Sequence, residues 1–109
     1  MQNIENVEDG FEQGGLNEES FQLKLFIAGA SFNSLRSIEN IKELCKCYLV
    51  DRYDLEIIDI YQQPLLAEQE QIIALPMLIR KYPLPERRFI GDMSDTKKLL
   101  KGLGIFPQN

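Results

Sequence analysis

The chain has 109 residues, 44% of them hydrophobic and 27% charged, with 12 Lys and Arg against 17 Asp and Glu. That length suits one domain. Its apolar runs fall well short of the roughly 18 residues that span a bilayer, and no basic, apolar leader opens it, so a cytoplasmic location is expected. With no histidine and two cysteines, the chain lacks the base for nucleophile–histidine catalysis and the ligands for a structural zinc.

Residues 1–20 hold six acids (Glu5, Glu8, Asp9, Glu12, Glu18, Glu19), no base and few apolar side chains. Such a composition buries too little surface to offset chain entropy, which predicts a flexible acidic tail ahead of a domain over residues 21–109. The remaining 89 residues carry 12 bases and 11 acids, so the net charge of -5 belongs to the tail. A near-neutral body exerts little long-range pull on nucleic acid, and no such partner is expected.

In FQLKLFIAG, Phe21, Leu23 and Leu25 alternate with Gln22 and Lys24, the period of a strand. Phe26, Ile27 and Ala28 extend it as expected for a strand buried on both faces, and Gly29 closes it. A helix follows, capped by Ser31 or Asn33, with Leu35, Ile38, Ile41, Cys45, Tyr48 and Leu49 recurring at helical steps as its buried face. Residues 53–61 read as a second strand, with Tyr53, Leu55 and Ile57 alternating against Asp54 and Glu56. Pro64 suits the first position of a short second helix, with Leu65, Leu66, Ile72 and Ile73 on one side.

Strands are predicted at Met77–Lys81 and Arg87–Asp92, joined as an antiparallel hairpin through the tight link at residues 82–86. The last helix takes Ser94 as its cap and buries Leu99, Leu100 and Leu103, while Gly102 and Gly104 limit it. The order βαβαββα is the thioredoxin-like arrangement, an α/β fold with a mixed four-stranded sheet and helices on both faces.

That order directs attention to the first strand–helix junction, where redox proteins of this shape carry Cys-x-x-Cys. Residues 28–34 read AGASFNS and contain no thiol, so disulfide exchange has no nucleophile there. Cys45 and Cys47 lie about 200° apart around the first helix and cannot bridge each other. Cys45 falls on the apolar face; Cys47 falls off it, as an exposed thiol open to oxidation. Arg80, Lys81, Arg87 and Arg88 crowd the hairpin. They form either a basic patch for an acidic partner or phosphate, or, since strand neighbours point to opposite faces, separate pairs that solvate an edge. Glu68 and Glu70 face apart, and Asp92 and Asp95 flank a helix start, where carboxylates cap rather than catalyse. The glycines are isolated, so no phosphate-binding loop is present. Neither enzyme activity, metal nor cofactor is expected.

From Phe21 to about Phe106 the chain resembles the KaiB family of cyanobacterial circadian-oscillator proteins and their relatives in other bacteria. The residues that carry the resemblance are Leu25-Phe26-Ile27-Ala28-Gly29, Asn33-Ser34 with Arg36, Ile58-Asp59-Ile60, and Pro64 with Leu66-Ala67-Glu68. Further along come Ala74-Leu75-Pro76-Met77-Leu78, then Pro83-Leu84-Pro85 and the run from Arg87 to Asp95, RRFIGDMSD. The resemblance implies a non-catalytic binding protein that docks on a KaiC-like ATPase ring, with Arg36, Arg80, Arg87 and Arg88 as contact candidates. It also implies a homo-oligomeric ground state, dimer or tetramer, whose C-terminal half is rearranged relative to the thioredoxin-like form. Pro76, Pro83, Pro85, Gly102 and Gly104 would then belong to the switching region, with at least one X-Pro bond differing between the forms. The family's bases on the second strand and second helix are replaced here by Glu56 and Gln71. Two other readings are a thioredoxin-like stress-adaptation protein that does not bind KaiC, using Cys47, and a sensor-like module for a histidine kinase.

Overall fold

FQLKLFI forms the central strand because both of its faces find apolar partners. The computed structural model describes residues 20–106, and the acidic tail expected before them lies outside the described residues. The elements are β1 (Phe21–Ile27), α1 (Phe32–Tyr48), β2 (Tyr53–Asp59), α2 (Pro64–Gln69), β3 (Met77–Tyr82), β4 (Arg87–Ile90) and α3 (Thr96–Leu103). The sheet order is β2-β1-β3-β4. β1 runs parallel to β2, with Leu25 opposite Ile57, and antiparallel to β3, with Leu25 opposite Leu78. β3 and β4 form the antiparallel hairpin, with Ile79 opposite Arg88. This is the expected thioredoxin-like βαβαββα fold with its mixed four-stranded sheet.

Alternation along β1 splits the interior in two. Phe21, Leu23, Leu25 and Ile27 join Ile41, Leu44 and Cys45 of α1 and Leu99, Leu100 and Leu103 of α3 in the main core. On the other face Phe26 meets Ile58, Met77 and Ile79, with Leu66, Ile72 and Leu75 packed against them. Each large side chain buried in this way contributes about 1.5–3 kcal/mol, so the α1/α3 side carries most of the stability.

Several elements differ from the sequence expectation. Leu35 is 55% exposed, and the inner seam of α1 runs instead through Ser34, Ser37, Ile41, Leu44 and Cys45. Ser34 is buried because its hydroxyl accepts from Ala28 N at 3.1 Å, and Ser37 because its own donates to Ser34 O at 2.8 Å. Hydroxyls that bond locally fit where α1 closes on the end of β1. Ser31 is the cap, accepting from Ser34 N at 3.2 Å.

In the α2 region Leu65 and Ile73 face outward, since a helix of six residues turns only Leu66, with Ile72 beyond it, onto the smaller core. β4 ends at Ile90, because Gly91 turns the chain with φ 122. Asp95, not Ser94, caps α3, accepting from Lys98 N at 3.1 Å. Gly104 does terminate that helix, in the left-handed conformation at φ 80. Gly102 does not. It lies within α3, where a Cβ would come 2.4 Å from the Phe89 ring, so it is there for close packing on β4. No helix among the described residues is long and apolar enough to cross a membrane.

Candidate partner-docking site

Register places the ends of β1, β2 and β4 and the start of β3 at one pole of the sheet, with Ile27 opposite Asp59, Phe26 opposite Met77, and Met77 opposite Ile90. In α/β sheets the carboxyl ends of parallel strands are where loops gather to meet ligands. Here Asp59 organises them: its Oδ1 accepts from Gly29 N at 3.1 Å and from Tyr61 N at 3.0 Å. Gly29 adopts φ +60, and a Cβ there would already touch the Tyr61 ring at 3.4 Å. Gly91 N donates to Pro76 O at 3.1 Å, so the entry to β3 and the exit from β4 are tied at the same pole.

Where a redox protein of this shape would place its cysteine pair, this chain has Ser31 and Ser34. Ser31 Oγ donates to Ser34 Oγ at 2.7 Å, and Ser34 Oγ donates in turn to Ala28 O at 3.4 Å. Both hydroxyls are spent on holding the loop and the helix start. Above them Phe32 is 73% exposed and Tyr61 74% exposed, with Leu35 beside Phe32 on the first turns of α1. The Arg36 guanidinium lies 5.7 Å from the Phe32 ring centroid, and its Nε meets Asp92 Oδ2 at 3.4 Å. Asn40 Nδ2 donates to Asp92 O at 2.9 Å, fixing the loop that presents the carboxylate. The Ser94 hydroxyl and N–H, then Arg36, hold the Asp92 carboxyl below its ordinary value.

The result is two exposed aromatics, a leucine and an arginine oriented by Asp92 at a loop end held by hydrogen bonds. Aromatic and arginine side chains are enriched among the residues that dominate the energetics of protein interfaces, and exposed apolar patches occur at protein-binding and ligand-binding surfaces. Among the described residues no group of three or more His, Cys, Asp and Glu could hold a metal.

The four arginines singled out in the sequence do not form one patch. Arg36 belongs to this pole. Arg80 is corrected from a surface contact to a buried anchor: at 6% exposure, its Nη1 donates to Leu103 O at 2.7 Å and its Nη2 to Pro85 O at 2.6 Å. Alternation explains it, since Arg80 shares the α3-facing side of β3 with Leu78, opposite Leu23 and Leu25. Arg87 is exposed at the far end of β4. Arg88 is engaged with α2, its Nη2 donating to Glu70 O at 2.7 Å and its Nη1 to Gln71 O at 3.3 Å.

Around the Glu70 carboxylate gather Lys81 at 3.0 Å, Arg88 at 3.8 Å and Lys24 at 4.0 Å. Glu86 joins from the hairpin link, 3.1 Å from Lys81 and 3.2 Å from Arg88. This network ties α2, which has no buried residue, to β1, β3 and β4. Of the prolines and glycines assigned to switching, Pro76 lies at the loop pole, Pro83 and Pro85 in the hairpin link, and Gly102 and Gly104 at the end of α3. The bonds preceding all three prolines are cis.

Burial pushes the Cys45 thiol up to about 12. Cys47 is exposed and donates to Glu43 Oε2 at 3.2 Å, which raises its pKa and keeps it a thiol. Nucleophilic cysteines need the opposite, a lowered pKa.

Sequence reasoning missed Phe32, Leu35 and Tyr61 as a surface. The available signal was positional: Phe32 and Leu35 follow the predicted end of the first strand, and Tyr61 is the last residue of the second predicted strand, just beyond the observed end at Asp59. Glu70 had none, because its partners come from three separate strands.

A family model described as the KaiB domain matches residues 24–105. The circadian clock protein KaiB3 of Synechocystis is 48% identical over 86 residues, covering 79% of this chain and 84% of that protein. The circadian clock oscillator protein KaiB of Synechococcus elongatus is 41% identical over 86 residues, with the same coverage of 79% and 84%. Among solved structures, the N-terminal domain of Synechococcus elongatus SasA superposes with a TM-score of 0.65 at 18% identity, covering 85% of this chain and 91% of that one. Fasciola hepatica thioredoxin gives 0.64 at 17% identity, covering 80% and 81%. At such identities these two likenesses concern the fold alone.

Proposed function

The chain belongs to the KaiB family, and from that premise we propose that it is a non-catalytic regulator in a circadian or clock-derived system that docks on a KaiC-like ATPase ring. The observation that carries this reading is the loop pole. Phe32, Leu35 and Tyr61 stand exposed beside an Arg36 held in place by Asp92, over a serine pair that has no free nucleophile. A partner that covers the aromatics and meets the guanidinium fits that surface; a small substrate has nothing there to react with. The protonated Cys47 weighs against a thiol-based stress role.

A homo-oligomeric ground state with a rearranged C-terminal half belongs to the same reading. What supports it is the shallow attachment of α2, which fully buries no side chain and is tied down by ion pairs. Two packings of one sequence need to differ by only a few kcal/mol for such a change. Co-elution of the full-length chain with the KaiC-like hexamer of the same genome, after incubation long enough for a slow rearrangement, tests the function. A stable complex is expected; persistent separation of the two proteins contradicts it.

A further inference from the structure

The face of the sheet that carries the smaller core is part apolar and part cationic. Paired residues of neighbouring strands share a face and side chains alternate along each strand, so Phe26, Met77 and Ile79 share theirs with Lys24 and Arg88. Lys81 reaches the same side, its Nζ 3.0 and 3.2 Å from the two Glu70 carboxylate oxygens. Residues 60–75 cross this face as a strap pinned at both ends to the loop pole. Asp59 O accepts from Gln62 N at 3.0 Å and from Gln63 N at 2.9 Å, and Pro76 O accepts from Gly91 N at 3.1 Å.

Between the pins the apolar hold is partial, because Ile60, Leu66, Ile72 and Leu75 are only partly buried against Phe26, Ile58, Met77 and Ile79. The helix adds little of its own. Its six residues are well short of the roughly 12–15 that hold an isolated helix in water. Gln63, at its cap, makes no side-chain hydrogen bond, and Gln71 takes φ 57, a left-handed conformation suited to glycine. Charge supplies the remaining hold, and it converges on one residue. Glu70, with a side chain 16% exposed, receives Lys81 at 3.0 Å, Arg88 at 3.8 Å and Lys24 at 4.0 Å. Arg88 also donates to the Glu70 and Gln71 carbonyls at 2.7 and 3.3 Å, closing the end of α2. An isolated exposed pair contributes little, whereas several charges gathered on one shielded carboxylate act as a network.

We infer that Glu70 is the latch of a strap that lifts from the sheet as a unit while β3, β4 and α3 stay in place, with ionic strength setting how often it opens. Both pins lie at the loop pole, so the strap swings away without disturbing either strand that it joins. Loss of the Glu70 carboxylate leaves Lys24, Lys81 and Arg88 facing one another, with Glu86 reaching only Lys81 and Arg88. Opening uncovers Met77 and Ile79. It is a local event, distinct from a rearrangement of the whole C-terminal half, in which β3 and α3 would lose protection together with α2. The latch therefore holds whatever partner the loop pole takes.

Amide hydrogen exchange of the full-length chain, read as protection factors residue by residue by NMR, tests this. Ala67 N and Ile72 N donate within the strap, to Gln63 O at 3.2 Å and Ala67 O at 3.0 Å, and report its opening. In Glu70→Gln their protection should fall by about tenfold or more, the scale of one lost charge-assisted hydrogen bond, while Leu78 and Ile79 of β3 and Leu99 of α3 keep theirs. Raising salt to about 1 M should lower the protection of Ala67 and Ile72 in the wild-type chain and have little further effect in Glu70→Gln. The wild-type salt series needs no substitution, so it reads the strap even where the variant folds poorly. Equal protection of the strap in wild type and Glu70→Gln overturns the inference, and so does a wild-type strap that does not respond to salt. Loss of protection at Leu78, Ile79 and Leu99 in step with the strap equally overturns it, since the opening would then belong to the whole half.

Discussion

Arg80 donates Nη1 to the carbonyl of Leu103 at 2.7 Å, so a strand side chain closes the last turn of the last helix. The final carbonyls of a helix have no partner within it, and here a buried guanidinium supplies one while its Nη2 takes Pro85 O from the hairpin link. Replacing Arg80 with Leu leaves both carbonyls short of a donor. A loss of about 3 kcal/mol is expected, the scale of two charge-assisted hydrogen bonds broken in the interior. Arg80→Lys, which keeps the charge but cannot span both acceptors, should fall between. Urea unfolding midpoints measure both, and a wild-type midpoint for Arg80→Leu contradicts the assignment.

Gly102→Ala should destabilise although alanine favours helix by about 1 kcal/mol over glycine. The added Cβ would come 2.4 Å from the Phe89 ring, and overpacking of this kind costs about 1–3 kcal/mol. Thermal unfolding should show a lower midpoint for Gly102→Ala and partial recovery when Phe89→Leu is added. A gain in stability from Gly102→Ala alone would mean that the helix and β4 are further apart than described.

Stability should hold a plateau in pH and fall on both sides of it. Lys81, then Arg88, keep the Glu86 carboxyl below its ordinary 4.5, and Ser94, then Arg36, keep Asp92 below 3.8. Carboxyls lowered on folding stabilise fully above those ordinary values and lose that contribution as pH falls through the folded ones. Lys81 is raised above 10.5, chiefly by its hydrogen bond to Glu70, so its contribution is complete below 10.5 and is lost as pH rises through its folded value. Lys81→Met should flatten the alkaline limb and weaken the acid limb of urea midpoint against pH. An unaltered acid limb would show that Glu86 does not depend on Lys81.

Neither cysteine should alkylate readily. Cys47 is exposed but its thiol is stabilised by the Glu43 carboxylate, and Cys45 is buried with its thiol pushed up to about 12. Iodoacetamide followed by mass spectrometry should modify Cys47 slowly, faster in Glu43→Gln, and Cys45 only on unfolding. Equal Cys47 rates in wild type and Glu43→Gln would remove the hydrogen bond as the cause.

Most of the fold was legible because strand and helix periods were clean: β1, the α3 face of Leu99, Leu100 and Leu103, and the hairpin all lie where alternation placed them. Two of the departures share one physical source, polar groups satisfied inside. A reading by hydrophobicity chooses Leu35 over Ser34 for the inner seam and sends Arg80 to solvent. Ser34 is paid for by hydrogen bonds to Ala28, and Arg80 by two carbonyls that no local pattern reveals. Gly102 was read as a terminator because the ring that needs its missing Cβ comes from β4. The loop pole was hidden because Phe32, Leu35, Tyr61 and Asp92 come from three separate segments, and only the register of the sheet brings them to one end.

The central claim, that the loop pole is the docking surface for a KaiC-like ring, is tested most directly by the affinity of one triple variant. Phe32→Ala, Arg36→Ala and Tyr61→Ala remove exposed side chains, and Arg87→Ala serves as a control from the far end of β4. Binding to the immobilised hexamer should weaken by about 100-fold or more for the triple variant, as when two or more hot-spot residues are lost, with Arg87→Ala close to wild type. A triple variant that folds normally and binds the ring with wild-type affinity would contradict the account.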